Sequence, residues 1–158
     1  MAAGAASAID GVADIVPYAP EMLLPLVDLW RASFEHGVGI DDPHPIEAQR
    51  RYFSDRVLPQ FDVGVAMLGD EIVGFVAANR ESIAQLHVRV GRHRRGIGTS
   101  LLDLAKARSA GSLWLYTFAR NSIARRFYER HGFVAIEQGF EATRQLEDVK
   151  YRWLRPAS

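Results

Sequence analysis

Two stretches of this chain bring together residue types that could do chemistry. The first is Leu86-His87-Val88-Arg89-Val90-Gly91-Arg92-His93-Arg94-Arg95-Gly96-Ile97-Gly98-Thr99, which reads as a strand, a basic glycine-containing loop and the start of an amphipathic helix. Backbone N–H groups opening into a helix N-terminus form a site for phosphate, and glycine lets the backbone approach an anion with no side chain in the way. The second is Asn121 through Phe133, where Asn121 and Tyr128 lie two helical turns apart on one face, beside an apolar row of Ile123 and Phe127. An asparagine ahead of a helix is ordinarily a cap, and a tyrosine beside a phenylalanine is ordinarily core. Taken together, downstream of the basic loop, they point to a shared site.

Two better-known phosphate loops are excluded by single residues. Gly91 and Gly96 have the spacing of a Walker loop, but Ile97-Gly98 follow where Lys and Ser/Thr are needed. Gly96 and Gly98 begin a dinucleotide fingerprint, but Leu101 stands where its third glycine belongs. What is left is a short metal-free diphosphate cradle over 94–99, with Arg92, Arg94 and Arg95 as supplements. The competing reading is a tight strand-to-helix turn carrying solvated arginines.

The elements that must position these residues follow from periodicity. Val12–Val16 is a short first strand, and Leu23, Val27, Trp30 and Phe34 recur at helical spacing until about Gly37, with Pro25 in the first turn. Gly37–Pro45 is a loop, and Pro45–Gln60 reads as a second helix. Phe61–Leu68 and Ile72–Asn79 form a hairpin around Gly69-Asp70-Glu71, and Ile83–Val90 is a third β-prone run. Gly96–Ser109 is helical and Leu113–Phe118 is a strand. Ser122–His131 is a helix capped by Asn121 and stopped by Gly132, and Phe133–Ile136 and Val149–Leu154 close the chain as strands. That order predicts an α/β protein with a mixed sheet.

Composition bounds the function. The 158 residues suffice for one domain; residues 1–8 read as a frayed tail and 9–158 as a single domain. Zero formal net charge argues against a nucleic-acid binder, for which the loop arginines alone are too few. The absence of cysteine removes disulfide, thiolate and cysteine–metal chemistry and fits a cytoplasmic setting. No apolar run approaches the roughly 20 residues of a membrane span, so no membrane partner is expected.

Here the chain resembles a known family, the GCN5-related N-acetyltransferases. Val88 to Gly98 resembles that family's acetyl-CoA loop, Gln/Arg-x-x-Gly-x-Gly/Ala, with His93 at the usual Gln/Arg position and Arg94 where glycine is common. Asn121 to Phe133 resembles its second motif, Asn-x-x-Ala-x-x-Phe-Tyr-x-x-x-Gly-Phe. The resemblance runs from about Val12 to Trp153 and is strongest over 86–133. It implies a single-domain fold with a mostly antiparallel sheet splayed at its centre and about four helices.

It also implies a mechanism, direct transfer from acetyl-CoA to a primary amine of a small molecule or peptide in a ternary complex, with no metal. The thioester would lie between the strands at Ile83–Val90 and Leu113–Phe118, facing the backbone of Leu86, His87 and Val88. The loop Arg94, Arg95, Gly96, Ile97, Gly98 and Thr99 would hold the pyrophosphate. Asn121 would bond the pantetheine arm, and Tyr128 would protonate the departing thiolate. Some members carry a basic glutamate five residues before the asparagine; Tyr116 stands there, leaving His87 as candidate base and solvent relay as the default. Trp30, Phe34, Glu35, His36, Tyr52 and Tyr116 would wall the acceptor pocket, with Asp41 and Asp42 drawing in an amine. A monomer or homodimer is expected. The alternative is a non-catalytic acyl-CoA-binding module.

Overall fold

The structure, a computed structural model, describes residues 12–93 and 96–157. The expected tail at 1–8 and the loop residues Arg94 and Arg95 therefore lie outside the described residues. The elements in order are β1 (Asp14–Pro17), α1 (Leu23–Val38), α2 (Ile46–Tyr52), β2 (Asp62–Leu68), β3 (Glu71–Ala78), β4 (Ile83–Val88), α3 (Ile97–Arg108), β5 (Ser112–Phe118), α4 (Ser122–Arg130), β6 (Val134–Glu141) and β7 (Leu146–Leu154).

Several local outcomes differ from the sequence reading, among them the last two strands, which run over Val134–Glu141 and Leu146–Leu154 rather than Phe133–Ile136 and Val149–Leu154. Helix α1 runs past Gly37 and stops at Gly39, whose left-handed φ of 82° lets the chain turn while its N–H closes on Glu35 O. The second helix keeps regular geometry only to Tyr52. Phe53–Val57 continues as a wider π-type turn that brings Phe53 and Val57 fully into the core. Pro25 sits within the first turn of α1, where no intrahelical donor is required of it.

All strand ladders are antiparallel. The larger sheet has the order β1-β2-β3-β4 and the smaller the order β5-β7-β6. A parallel bridge from Ser82 to Trp114 joins them, and beyond it β4 and β5 diverge into a wedge. Mixed character is thus confined to one bridge, and the splay at the centre is present.

Burial explains the layers. Trp30, Leu26, Phe53, Val65 and Phe75 pack α1 and α2 onto one face of the larger sheet. Val76, Val88, Leu101, Leu115, Tyr128 and Tyr151 pack α3 and α4 onto the opposite face and carry the core across to the smaller sheet. Along β5, Leu113 and Leu115 are buried while Trp114 and Tyr116 are exposed, so this strand shows one face to the core and one to an open cleft. Among the described residues no helix is long and apolar enough to cross a membrane.

Candidate active site

The wedge between β4 and β5 opens into a cavity of about 1220 Å³ that reaches from the N-terminus of α3 to the β6–β7 turn. That exceeds the roughly 300–1,000 Å³ of a usual small-molecule pocket and suits a long ligand meeting a second one. The walls of this cavity determine what each can touch.

Backbone polarity along β4 follows from its register. Arg89 N–H donates to Val73 O, and His87 stands opposite Phe75 in the same ladder. The two-residue alternation of an antiparallel pair then directs the backbone groups of Gln85 and His87 to β3 and leaves those of Leu86 and Val88 on the free edge facing β5. Leu86 and Val88 therefore present an open N–H and C=O to the wedge. The backbone of His87 is spent on the sheet and is removed from that set.

The phosphate end is built by α3. Gly96, at φ 77°, is its N-cap and offers no side-chain cap, so the amides of Ile97, Gly98 and Thr99 have no acceptor of their own. These amides, carrying the positive end of the helix dipole, can hold a diphosphate. A Cβ on Gly98 would meet the Phe127 ring at 3.2 Å, so its glycine also serves the packing of α4 onto α3. Side chains contribute less than the sequence suggested. The Thr99 hydroxyl lies 3.1 Å from His131 Nε2, and His131 Nδ1 donates to Phe127 O, so Thr99 must be the donor in the first bond. Arg92 pairs with Glu71 at 2.7 Å. The His93 ring stacks on His36 of α1, and burial, then the neighbouring His36, push its pKa down. The position usually held by Gln or Arg thus carries an uncharged ring at neutral pH.

Asn121 Oδ1 accepts from Ala124 N–H at 3.1 Å and caps α4. Its Nδ2 makes no hydrogen bond among the described residues and lies against Gly37, where a Cβ would come within 2.6 Å of it. Cap and cofactor contact are compatible, because they use opposite ends of one amide. Tyr128 is 6% exposed, with its ring packed among Phe127, Phe133 and Tyr151. Its hydroxyl has no protein partner among the described residues, and burial raises its pKa well above the usual phenol value. The phenol is a neutral donor held at the cavity wall.

His87 reads differently from its sequence expectation. Its Nδ1 lies 2.9 Å from Ser33 Oγ and its Nε2 lies 2.9 Å from Gln85 Oε1, with Trp30 and Phe75 against the ring. It lines the cavity, and burial lowers its pKa to about 3. A group that gives up its proton so readily is a weak base, and both nitrogens are already engaged. The structure corrects His87 from a candidate base to a neutral strut. Because the folded value lies below the unfolded 6.5, stability is present above pH 6.5 and is lost as pH falls toward 3. With cavity water screening part of the effect, the wild-type protein should lose about 2 kcal/mol of unfolding free energy through this residue between pH 6.5 and 4.5. His87→Gln should show a correspondingly flatter slope in urea denaturation across that interval; parallel slopes would remove His87 from the account.

The expected acceptor walls Trp30, Phe34, His36, Tyr52 and Tyr116 all line the cavity. Glu35 does not; its carboxylate accepts from Asp42 N–H at 2.8 Å. Asp41 is exposed outside it, and Asp42 is buried against Arg144 at 3.2 Å, so neither attracts an amine. Sequence reasoning missed Ser33 and Gln85, which line the cavity as partners of His87, and Asp148, which lines its far end. For Asp148 a signal existed: Val149, Tyr151 and Trp153 alternate into the core, which places residue 148 on the opposite face of β7. No group of three or more potential metal ligands is present among the described residues.

Residues 59–135 match the family model of the acetyltransferase (GNAT) domain. No curated protein sequence matches the chain. Among solved structures, a GCN5-related N-acetyltransferase from Rhodopseudomonas palustris is 24% identical with a TM-score of 0.72, over 90% of this chain and 95% of that one. The apo form of YjaB from Escherichia coli is 17% identical with a TM-score of 0.75, over 92% and 99%. The PaiA N-acetyltransferase of Thermoplasma acidophilum, solved with coenzyme A, is 18% identical with a TM-score of 0.70, over 90% and 98%. At such identities the solved structures speak for the fold, and the family match is carried by residues 59–135, which are similar to the acetyltransferase (GNAT) domain.

Proposed function

We propose that this protein transfers the acetyl group of acetyl-CoA to a primary amine by direct attack within a ternary complex. One observation carries the reading: the β4–β5 wedge has an open backbone edge at Leu86 and Val88 and, at its wall, the Tyr128 phenol, which has no partner among the described residues. Acetyl-CoA, when bound, supplies an acyl carbon activated as a thioester. The first-turn amides of α3 hold its diphosphate, and Asn121 Nδ2 meets its arm. A backbone N–H of Leu86 or Val88 stabilises charge on the carbonyl oxygen, a contribution worth roughly 3–4 kcal/mol where such donors have been removed. The new bond is nitrogen to carbonyl carbon and the broken bond is carbon to sulfur. The sulfur takes its proton from Tyr128, and the proton given up by the amine returns to Tyr128 through water in the cavity.

The two reactants reach the wedge from different faces. Tyr128 belongs to the core face with Leu115 and Tyr151, whereas Trp114 and Tyr116 face away from it. Nucleophile and leaving group thus approach the acyl carbon from opposite sides of the gap between β4 and β5. Incubating the purified protein with acetyl-CoA and a panel of amines, while following free CoA thiol, tests the reading. Amine-dependent thiol release is expected; calorimetric CoA binding with no turnover on any amine would favour the non-catalytic acyl-CoA-binding module instead.

A further inference from the structure

The cavity is lined by two carboxylates, and only one is committed. Glu141 accepts from Thr143 and Arg144 and forms an ion pair with the latter at 2.8 Å. Asp148 has no hydrogen bond or ion pair among the described residues. Its neighbour on the same face of β7, Lys150, is turned to Glu137 at 3.8 Å and lies over the Trp114 and Tyr116 rings. Burial, and then Glu141, raise the Asp148 pKa. A carboxylate in this state gains from a cation that arrives with a ligand.

Its position relative to the reacting centre can be read from the strand registers. The parallel bridge Ser82–Trp114 sets β4 beside β5, and allowing for the extra β4 residue at the Ala84 irregularity, Leu86 lies across the wedge from the Thr117–Phe118 end of β5. Phe118 pairs directly with Asp148 on β7. Residues paired in this way project to one face, and Phe118 on that face meets Phe34 of α1 edge-on at 5.5 Å. Asp148 therefore stands on the face opposite Tyr128, level with the open backbone edge, at the end from which an acceptor would enter. Space for it has been kept. Gly139 of β6 lies beside it, and a Cβ there would come within 2.7 Å of Asp148 Oδ1.

We infer that Asp148 anchors the positively charged nitrogen of the acceptor, which makes the acceptor class an alkylamine, charged when it docks, on an aromatic or apolar body. The inference rests on the amine-acetylating reading above. The body is argued from Trp30, Phe34, Tyr52, Tyr116, Phe118 and Phe140, which line the same cavity. An ammonium beside a carboxylate and aromatic faces gains from both.

The test compares 2-phenylethylamine with its uncharged isostere 2-phenylethanol, each titrated into CoA-loaded wild type and Asp148→Asn. Wild type should bind the amine at least tenfold tighter than the alcohol. Asp148→Asn should weaken the amine about tenfold or more and leave the alcohol within twofold, and any turnover of the amine should show the loss chiefly in KM. A merely structural role would move both ligands together, and that result overturns the inference. So does a wild type that binds the amine no tighter than the alcohol. Failure of the parent reading has its own signature, tight Asp148-dependent amine binding with no CoA thiol released.

Discussion

Tyr128→Phe is expected to lower kcat for acetyl transfer by about 10²–10³-fold while leaving the Kd for CoA within about twofold. The substitution removes one oxygen. The ring stays among Phe127, Phe133 and Tyr151, and no protein partner among the described residues is orphaned, because the hydroxyl has none. Stability should consequently be unchanged, and a loss of rate is then a loss of the transition state, about 3–4 kcal/mol for the expected factor. Burial raises the phenol above its usual value, so it remains protonated through the whole working range and no alkaline limb should arise from it below about pH 10. A thiol of the cysteine type ionises near 8.5, so full transfer from Tyr128 to sulfur runs uphill unless a proton follows from the amine side. The hydrogen bond to the developing thiolate is the part that lowers the barrier. Stopped-flow measurement of thiol release with mutant and wild type settles the assignment; a fully active mutant would strip Tyr128 of its role.

How far this site was legible depended on what kind of signal each part leaves in a sequence. The α3 turn and the cap at Asn121 were legible because glycine and asparagine at helix ends have local causes, a left-handed φ at Gly96 and an N–H at Ala124 in need of an acceptor. The strands were legible from their runs, since Leu113 and Leu115 alternate with Trp114 and Tyr116. His87 was misread because, although Gln85 is two residues away on the same strand, its other partner is not local. Ser33 comes from α1, fifty-four residues earlier, and nothing in the strand announces that both ring nitrogens are occupied. Asp42 was misread for the same reason, since its cation is 102 residues away. Backbone register had the opposite character. The family resemblance implied that Leu86, His87 and Val88 face the wedge together, whereas the period-two ladder separates His87 from its two neighbours. A one-residue slip in β4 would reverse that assignment, which is why the bonded pair at Arg89 and Val73 matters more to the chemistry than any side chain on the strand.

The second large effect is expected at Arg144, which ties the two sides of the acceptor end together. Its guanidinium donates to Asp42 Oδ2 at 3.2 Å from the α1–α2 loop and to Glu141 Oε1 at 2.8 Å, and its cation lies 5.1 Å from the Phe34 ring and 5.9 Å from that of Phe118. The Asp42 side chain is 1% exposed and that of Arg144 19%. Deleting a buried partner costs more than the pair is worth, because the charge left behind has lost both its water and its counterion. Asp42 retains the His44 N–H at 2.9 Å on its other oxygen, and Arg144 is partly solvated, so the lower end of the usual range applies. Arg144→Ala should therefore destabilise the fold by about 3 kcal/mol, lowering Tm by roughly 6–12 °C for a chain of this size. Adding Asp42→Asn to Arg144→Ala should restore part of that loss, since it removes the stranded charge, and the two changes should be clearly non-additive. The kinetic consequence should be confined to the acceptor side: KM for the amine rises as the β6–β7 turn comes away from α1, while CoA affinity, set at α3, holds. Calorimetric unfolding of the two single variants and the double variant measures the coupling. Simple additivity, or a loss under 1 kcal/mol for Arg144→Ala, would mean that water reaches Asp42 when Arg144 leaves and that the far wall of the cavity is held by Phe34, Phe118 and Leu146 alone.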